Sequence, residues 1–149
     1  MRPIKFRAWD VKRKHFIYHN TKYADTFCIS LDGRFGYEGI SEGGSGIQWW
    51  DKDRFILQQF TGLLDKNGKE IYEGDILSYK VGYENKKHDF QGYFVVKWGH
   101  WGWRLEGTIP KEDRQICQWP PITMPSGNFE YIEVISNIFE SPELLKGGR

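Results

Sequence analysis

The chain has 149 residues, enough for one compact domain or two small lobes, and a chain of this size buries roughly 70% of its unfolded surface on folding. Its 21 Lys+Arg against 20 Asp+Glu leave a net charge of +1, which excludes whole-molecule attraction to nucleic acid or an anionic membrane, so any such binding must come from a local patch. Two cysteines, Cys28 and Cys117, far apart and without a C-x-x-C, exclude a disulfide framework and a zinc cluster and predict a reduced, cytoplasmic protein.

The opening segment MRPIKFRAWD has no apolar stretch behind its basic start. No run of about 18 apolar residues follows anywhere, so neither export nor a membrane span is expected. Aromatic residues make up 17% of the chain, with 7 Trp against 2 Met, a composition that suits pleated, half-buried surfaces. In PIKFRAW, Ile4, Phe6 and Ala8 alternate with Lys5, Arg7 and Trp9, which predicts a strand with one apolar row inward and one basic row outward. The polar DVKRK and the short run HFIYH complete a predicted hairpin over residues 3–19.

Between Asn20 and Trp50 the pattern weakens. Six glycines from Gly33 to Gly46 lower the cost of turns, and residues 41–46 are expected to form a mobile loop. The GGSG there lacks the Lys-Ser or Lys-Thr that a phosphate cradle needs. RFILQQF, Arg54–Phe60, reads as a strand. After it, LLDKNGKEIY reads as a tight reversal, because Asn67-Gly68 is the pair that most readily takes positive φ at adjacent positions. A calcium loop starting at Asp65 is excluded by Lys69, Glu70 and Ile76, which stand where such a loop needs an oxygen ligand, a Gly and a Glu. Gly74-Asp75 gives a second bend into the strand Ile76–Val81.

The polar excursion GYENKKHD precedes a strand in GYFVVKW, and WGHWGWRL makes another reversal. The Pro-rich region 107–129 is expected to be irregular coil. YIEVISNIF is the last strand, and SPELLKGG supplies about one helical turn, with Ser141 as its cap and Pro142 at its first position.

About five strands within residues 60–140, joined by short reversals and one long loop, predict a small antiparallel barrel preceded by a hairpin-based lobe. The fold class is mainly β, α+β with little helix. The expected organisation is an N-terminal hairpin lobe over residues 1–59 with the Gly-rich loop, and a barrel lobe over 60–149 with the short C-terminal helix, the two forming one compact unit.

The segments IKFRAWD, QQFTGLLDKNGKEIYEGDIL and VISNIFESPELL, in this order and spacing, resemble the YopX family of phage and prophage proteins. The three blocks span nearly the whole chain. The resemblance implies that the second and third blocks belong to a small barrel of the Src-homology type, in agreement with the strand count. It also implies a phage or prophage context, and it brings no catalytic residues or cofactors to carry over. The Gly-rich and Pro-rich insertions are where the chain departs from the family pattern.

No constellation predicts catalysis, and no cofactor or metal is expected. His15 and His19 are too widely spaced for a tight metal pair. His100 sits on a reversal without a partner in sequence, neither cysteine has a flanking motif that would activate it, and Glu70, Glu73 and Asp75 at a bend are as readily turn residues as magnesium ligands.

Two binding surfaces are candidates. Trp49, Trp50, Trp98, Trp101 and Trp103 are hard to bury together in so small a molecule, and Trp is enriched at interface hot spots. They predict contact with a second copy in a homo-oligomer, or with a host or phage protein. The alternative is weak single-stranded nucleic-acid binding through the basic hairpin, with Arg7, Arg13 and Lys14 on phosphates and Trp9 as a stacking platform. Against it stands the ordinary reading that a strand's outer face is charged and its aromatics fill the core.

Overall fold

In a computed structural model of the protein, the described residues are 3–18, 27–30, 34–41, 44–51, 53–81, 90–100, 102–108, 122–123 and 131–145. The chain divides into two compact units, Pro3–Gln59 and Phe60–Arg149. Strand is the dominant element in both.

In the first unit, β1 (Phe6–Asp10) and β2 (His15–Tyr18) form the expected hairpin, paired antiparallel from Arg7↔Tyr18 to Asp10↔His15. The first half of β6 (Phe55–Leu64) lies antiparallel on the other side of β1. β1 is thus paired along both edges, and residues 7–10 are buried on both of its faces. The basic row expected outward is therefore broken at Arg7, which is 4% exposed. Its Nε donates to Gln58 Oε1 at 2.8 Å and its guanidinium stacks 4.0 Å from the Phe16 ring centre. Alternation misled here because Arg can bury its planar head against an aromatic ring and an amide.

The Gly-rich stretch also differs from expectation. Residues 41 and 44–46 of the expected loop lie in strands, while 42 and 43 are outside the described residues: β3 (Phe27–Ile29), β4 (Phe35–Ser41) and β5 (Gly44–Trp49) form a three-stranded antiparallel sheet in that order. Its glycines pair within the ladder, Gly36 with Trp49 and Gly39 with Gly46. Gly36 is required by close approach: a Cβ there would lie 2.7 Å from the Gln48 carbonyl oxygen and 2.8 Å from the Trp49 ring.

In the second unit, the remainder of β6 pairs with β7 (Glu70–Tyr72), from Phe60↔Tyr72 to Leu64↔Glu70, with a bulge between. Gly62 takes φ +88° in that bulge. The buried Thr61 hydroxyl restores the interrupted ladder by donating to the Ile71 carbonyl at 2.8 Å and accepting from the Leu63 N–H at 3.2 Å.

Strands β8 (Asp75–Val81), β9 (Phe90–Gly99), β10 (Gly102–Thr108), β11 (Ile122–Thr123) and β12 (Ile132–Asn137) form a five-stranded antiparallel sheet in the order β11-β10-β9-β8-β12. It curls into a half-barrel, the small β fold expected for the C-terminal part. Its concave side holds Ile71, Leu77, Phe94, Val96, Trp103, Leu105, Ile132 and Val134, with Leu63 packed against them. The region expected as coil over 107–129 contributes the end of β10 and the two-residue β11; its other residues, and the polar stretch 82–89, lie outside the described residues. A 3₁₀ turn, Pro142–Leu145, stands where one helical turn was expected. Ser141 serves it through its carbonyl oxygen, which accepts the Leu144 N–H at 3.2 Å, while its hydroxyl accepts that of Ser136 at 2.9 Å.

The segment DKNG is scaffold. Gly68 donates to the Asp65 carbonyl at 2.9 Å and Asp65 donates to the Lys69 carbonyl at 2.8 Å. Of the turn residues only Gly68 has positive φ, +80°, so this is a type I turn closed by a glycine bulge rather than the paired positive-φ turn expected from Asn67-Gly68. The Asp65 side chain selects it. Oδ1 accepts the N–H of Asn67 at 2.8 Å and of Lys69 at 2.9 Å, and Oδ2 accepts the N–H of Val134 on β12 at 3.0 Å. Beside it, Lys66 donates its N–H to the Ile132 carbonyl at 3.0 Å. The turn thereby satisfies the outer edge of β12, which would otherwise present unpaired backbone groups.

Asp65 is buried. Burial opposes ionisation, but the N–H groups of Val134, Lys69 and Asn67 outweigh it and hold the carboxyl below its ordinary value. A carboxylate with a depressed pKa contributes stability above its unfolded pKa and loses it as pH falls through the folded one. Urea unfolding of Asp65→Ala should show a loss of about 3 kcal/mol, because three donors, the buried Val134 N–H among them, lose a charged acceptor. The wild-type advantage over this variant should shrink as pH is lowered below about 4.

Candidate interaction surface

The first unit holds an aromatic cluster around Phe35. Trp50 lies 5.7 Å and Phe55 4.8 Å from it between ring centres, and Trp50 stacks on Phe55 at 4.3 Å. The Arg54 guanidinium covers both outer rings, 4.7 Å from Trp50 and 5.0 Å from Phe55. It is anchored by Asp10, whose Oδ2 lies 3.1 Å from Nη2. Asp10 is fully buried; burial works against its charge, while the Arg13 N–H, Arg54 and the Lys12 N–H together hold its pKa below the ordinary value.

Trp50 is therefore part of a packed stack. Trp49, one residue earlier on β5, is 40% exposed, with the Arg34 guanidinium 5.2 Å from its ring. Ile47 is 49% exposed and, two residues away on a strand, points to the same side as Trp49.

In the second unit, Trp98 on β9 pairs across the ladder with Trp103 on β10. The rings meet edge to face at 4.8 Å and 76°. Trp103 is 7% exposed and belongs to the core; Trp98 is 57% exposed. The next residues explain how the pair sits at a strand end: Gly102 turns the chain with φ +119°, and Gly99 makes room for Arg104, whose Cδ would lie 2.8 Å from a Cβ there. On the other face of the same strands Glu106 bridges Lys97 and Arg104, each at 2.5 Å. The Lys97 hydrogen bond above all holds the Glu106 carboxyl below its ordinary value. One carboxylate thus holds two cations.

Of the five tryptophans expected at an interface, Trp49 and Trp98 are exposed, Trp50 is half-buried, Trp103 is enclosed, and Trp101 lies outside the described residues. Of the residues expected on a nucleic-acid face, Arg13 and Lys14 are exposed at the β1–β2 turn together with Lys12. The Asp10 carboxylate shapes that turn, accepting the N–H of Lys12 at 2.9 Å and of Arg13 at 3.0 Å, and Lys14 closes it at φ +56°. Arg7 and Trp9 are buried, Trp9 edge-on to Phe16 at 4.9 Å.

His15 and His100 are exposed, and Cys28 is a half-buried free thiol; His19 and Cys117 lie outside the described residues. The acidic residues at the second bend act on the backbone and on Tyr72. Asp75 Oδ2 accepts the Tyr72 N–H and Glu70 accepts the Tyr72 hydroxyl, at 2.8 and 2.7 Å. Among the described residues no group of three His, Cys, Asp or Glu stands close enough to hold a metal ion, and no helix is long and apolar enough to cross a membrane.

Sheet order, the curled five-stranded sheet and the turn chemistry define a mainly β protein with an N-terminal hairpin unit. The chain belongs to the YopX family: the family described as YopX protein matches residues 5–146. Two solved structures are similar over their full length. One is the protein EF1440 from Enterococcus faecalis, 25% identical, with a TM-score of 0.60, covering 97% of this chain and 99% of that one. The other is the protein yopX from Bacillus subtilis, 16% identical, with a TM-score of 0.61 and 100% of both chains covered; at that identity the likeness is one of fold. Among curated proteins, none matches the sequence.

The two indoles of the β9–β10 pair should respond differently to removal. Trp103→Ala is expected to cost about 3–5 kcal/mol as a core truncation, whereas Trp98→Ala should cost less than about 1 kcal/mol. Denaturant unfolding of the two variants measures the difference.

Proposed function

We propose that this protein is a phage or prophage accessory protein that acts in the bacterial cytoplasm without catalysis, as a macromolecular binding or self-assembling module. Its partner is a copy of itself or a host protein. The observation that carries this reading is Trp98, held more than half in water on a paired strand, edge-on to the enclosed Trp103. An indole fixed in this way loses little conformational freedom when covered and offers a large area to cover. Trp49 and Ile47 support the same reading from the first unit.

A second reading has one specific observation in its favour. Lys12, Arg13 and Lys14 are consecutive and exposed on one turn, a small cationic tip that suits phosphate contacts. With Arg7 and Trp9 buried, the stacking platform first expected beside it is missing. Binding through the tip alone would be weak and salt-labile.

Size-exclusion chromatography with light scattering, run with and without mixed oligonucleotides at low salt, separates the two. The expected result is an assembly whose mass exceeds the 17.6 kDa chain and does not change with oligonucleotide. A monomer that shifts with DNA, and no longer does so after charge reversal of Arg13 and Lys14, would overturn the first reading in favour of the second.

A further inference from the structure

We infer that β5 is a docking edge for a second copy of this chain, the two β5 strands pairing antiparallel about a twofold axis at Gln48. The inference rests on the self-assembly reading and names its contact.

The backbone gives the geometry. Trp50 donates its N–H to the Phe35 carbonyl at 2.9 Å, so in the alternating ladder the even-numbered residues of β5 face β4, while Ile47 and Trp49 direct their N–H and C=O groups away from it. Among the described residues, no strand lies beyond β5 in its sheet. Its sequence, GSGIQW, holds no charge and no proline, the devices that keep a sheet edge from pairing with another chain. The chain does protect an edge elsewhere: the outer edge of β12 is taken up by the Asp65 carboxylate and the Lys66 N–H. Among the described residues nothing comparable covers the outward groups of Ile47 and Trp49, which stand 49% and 40% exposed on one side.

A neutral strand meets its own copy without charge repulsion, which favours a copy over a charged peptide. Register follows from the side chains. With Gln48 on the axis, Ile47 stands opposite Trp49 of the partner subunit, and Trp49 opposite Ile47 of the partner subunit. These are two aromatic to β-branched cross-strand pairs of the kind that stabilise antiparallel ladders. The same register places the outward backbone groups of residues 47 and 49 in hydrogen-bonded pairs and Gln48 in a non-hydrogen-bonded pair with Cα atoms about 4.5 Å apart. Each three-stranded sheet would become half of a six-stranded one.

Gln48→Cys tests the axis directly, in a background of Cys28→Ser and Cys117→Ser. A Cα separation of about 4.5 Å accepts a disulfide, whereas Ile47→Cys would face its own copy across a diagonal of about 7–8 Å, beyond disulfide reach. Under mild oxidation Gln48→Cys should become mostly a covalent dimer on a non-reducing gel, and Ile47→Cys should yield only a minor fraction. Separately, Ile47→Lys, a solvent-exposed change whose fold is checked by near-ultraviolet circular dichroism, should halve the mass found by light scattering. If the wild type assembles but Gln48→Cys does not cross-link and Ile47→Lys leaves the mass unchanged, the edge pairing is overturned while self-assembly stands. A wild type that stays at 17.6 kDa at millimolar concentration overturns both.

Discussion

A buried side-chain oxygen at the end of a strand, accepting the backbone N–H groups of the turn that follows, is the interaction on which this structure depends. Asp65 does this for the β6–β7 turn and reaches across to Val134 as well. Asp10 does it for the β1–β2 turn, and Asn137 for the chain after β12, accepting from Phe139 and Glu140 at 2.9 and 3.1 Å. Turn N–H groups near a core have no strand to bond, and leaving them bare would cost more than burying a short acceptor that satisfies two at once. Asp and Asn are short enough to reach their own backbone, so the same residue both ends the strand and fixes the path out of it.

The two carboxylates are compensated differently. Asp10 has the Arg54 guanidinium, which also lies over Trp50 and Phe55, so one cation links the hairpin turn to the aromatic cluster of the first unit. Asp65 relies mainly on backbone donors. Its site needs no buried cation, and its desolvation is offset by dipoles that the turn geometry already orients.

Much of this fold was legible. Period-two runs, the NG turn and the Gly-Asp bend placed the hairpin and most of the second unit's strands, because in those segments local preference and burial agree. The Gly-rich segment failed because glycine signals backbone freedom without saying what uses it; at Gly36 the freedom serves the Trp49 ring across the ladder, a contact the linear sequence does not display. Arg7 failed because polarity was equated with exposure, whereas the Phe16 ring and the Gln58 amide cover its head. The interface candidates were legible as a set of tryptophans but not individually: Trp98 and Trp103 stand opposite each other on one rung of the ladder, and only the packing around each ring, which the linear sequence does not display, separates the exposed one from the enclosed one. Ile47 was missed with its strand.

The bond between Asp65 and Val134 spans 69 positions of sequence, while those from Asp65 to Asn67 and Lys69 are local. The β6–β7 reversal can therefore form early, since closing a short loop is fast, whereas the tie to β12 must await a large loss of chain freedom. During synthesis from the N-terminus that tie cannot form until residue 134 has left the ribosome. The second unit thus has a built-in order of assembly: a prepared clamp first, and the strand it grips among the last pieces to arrive.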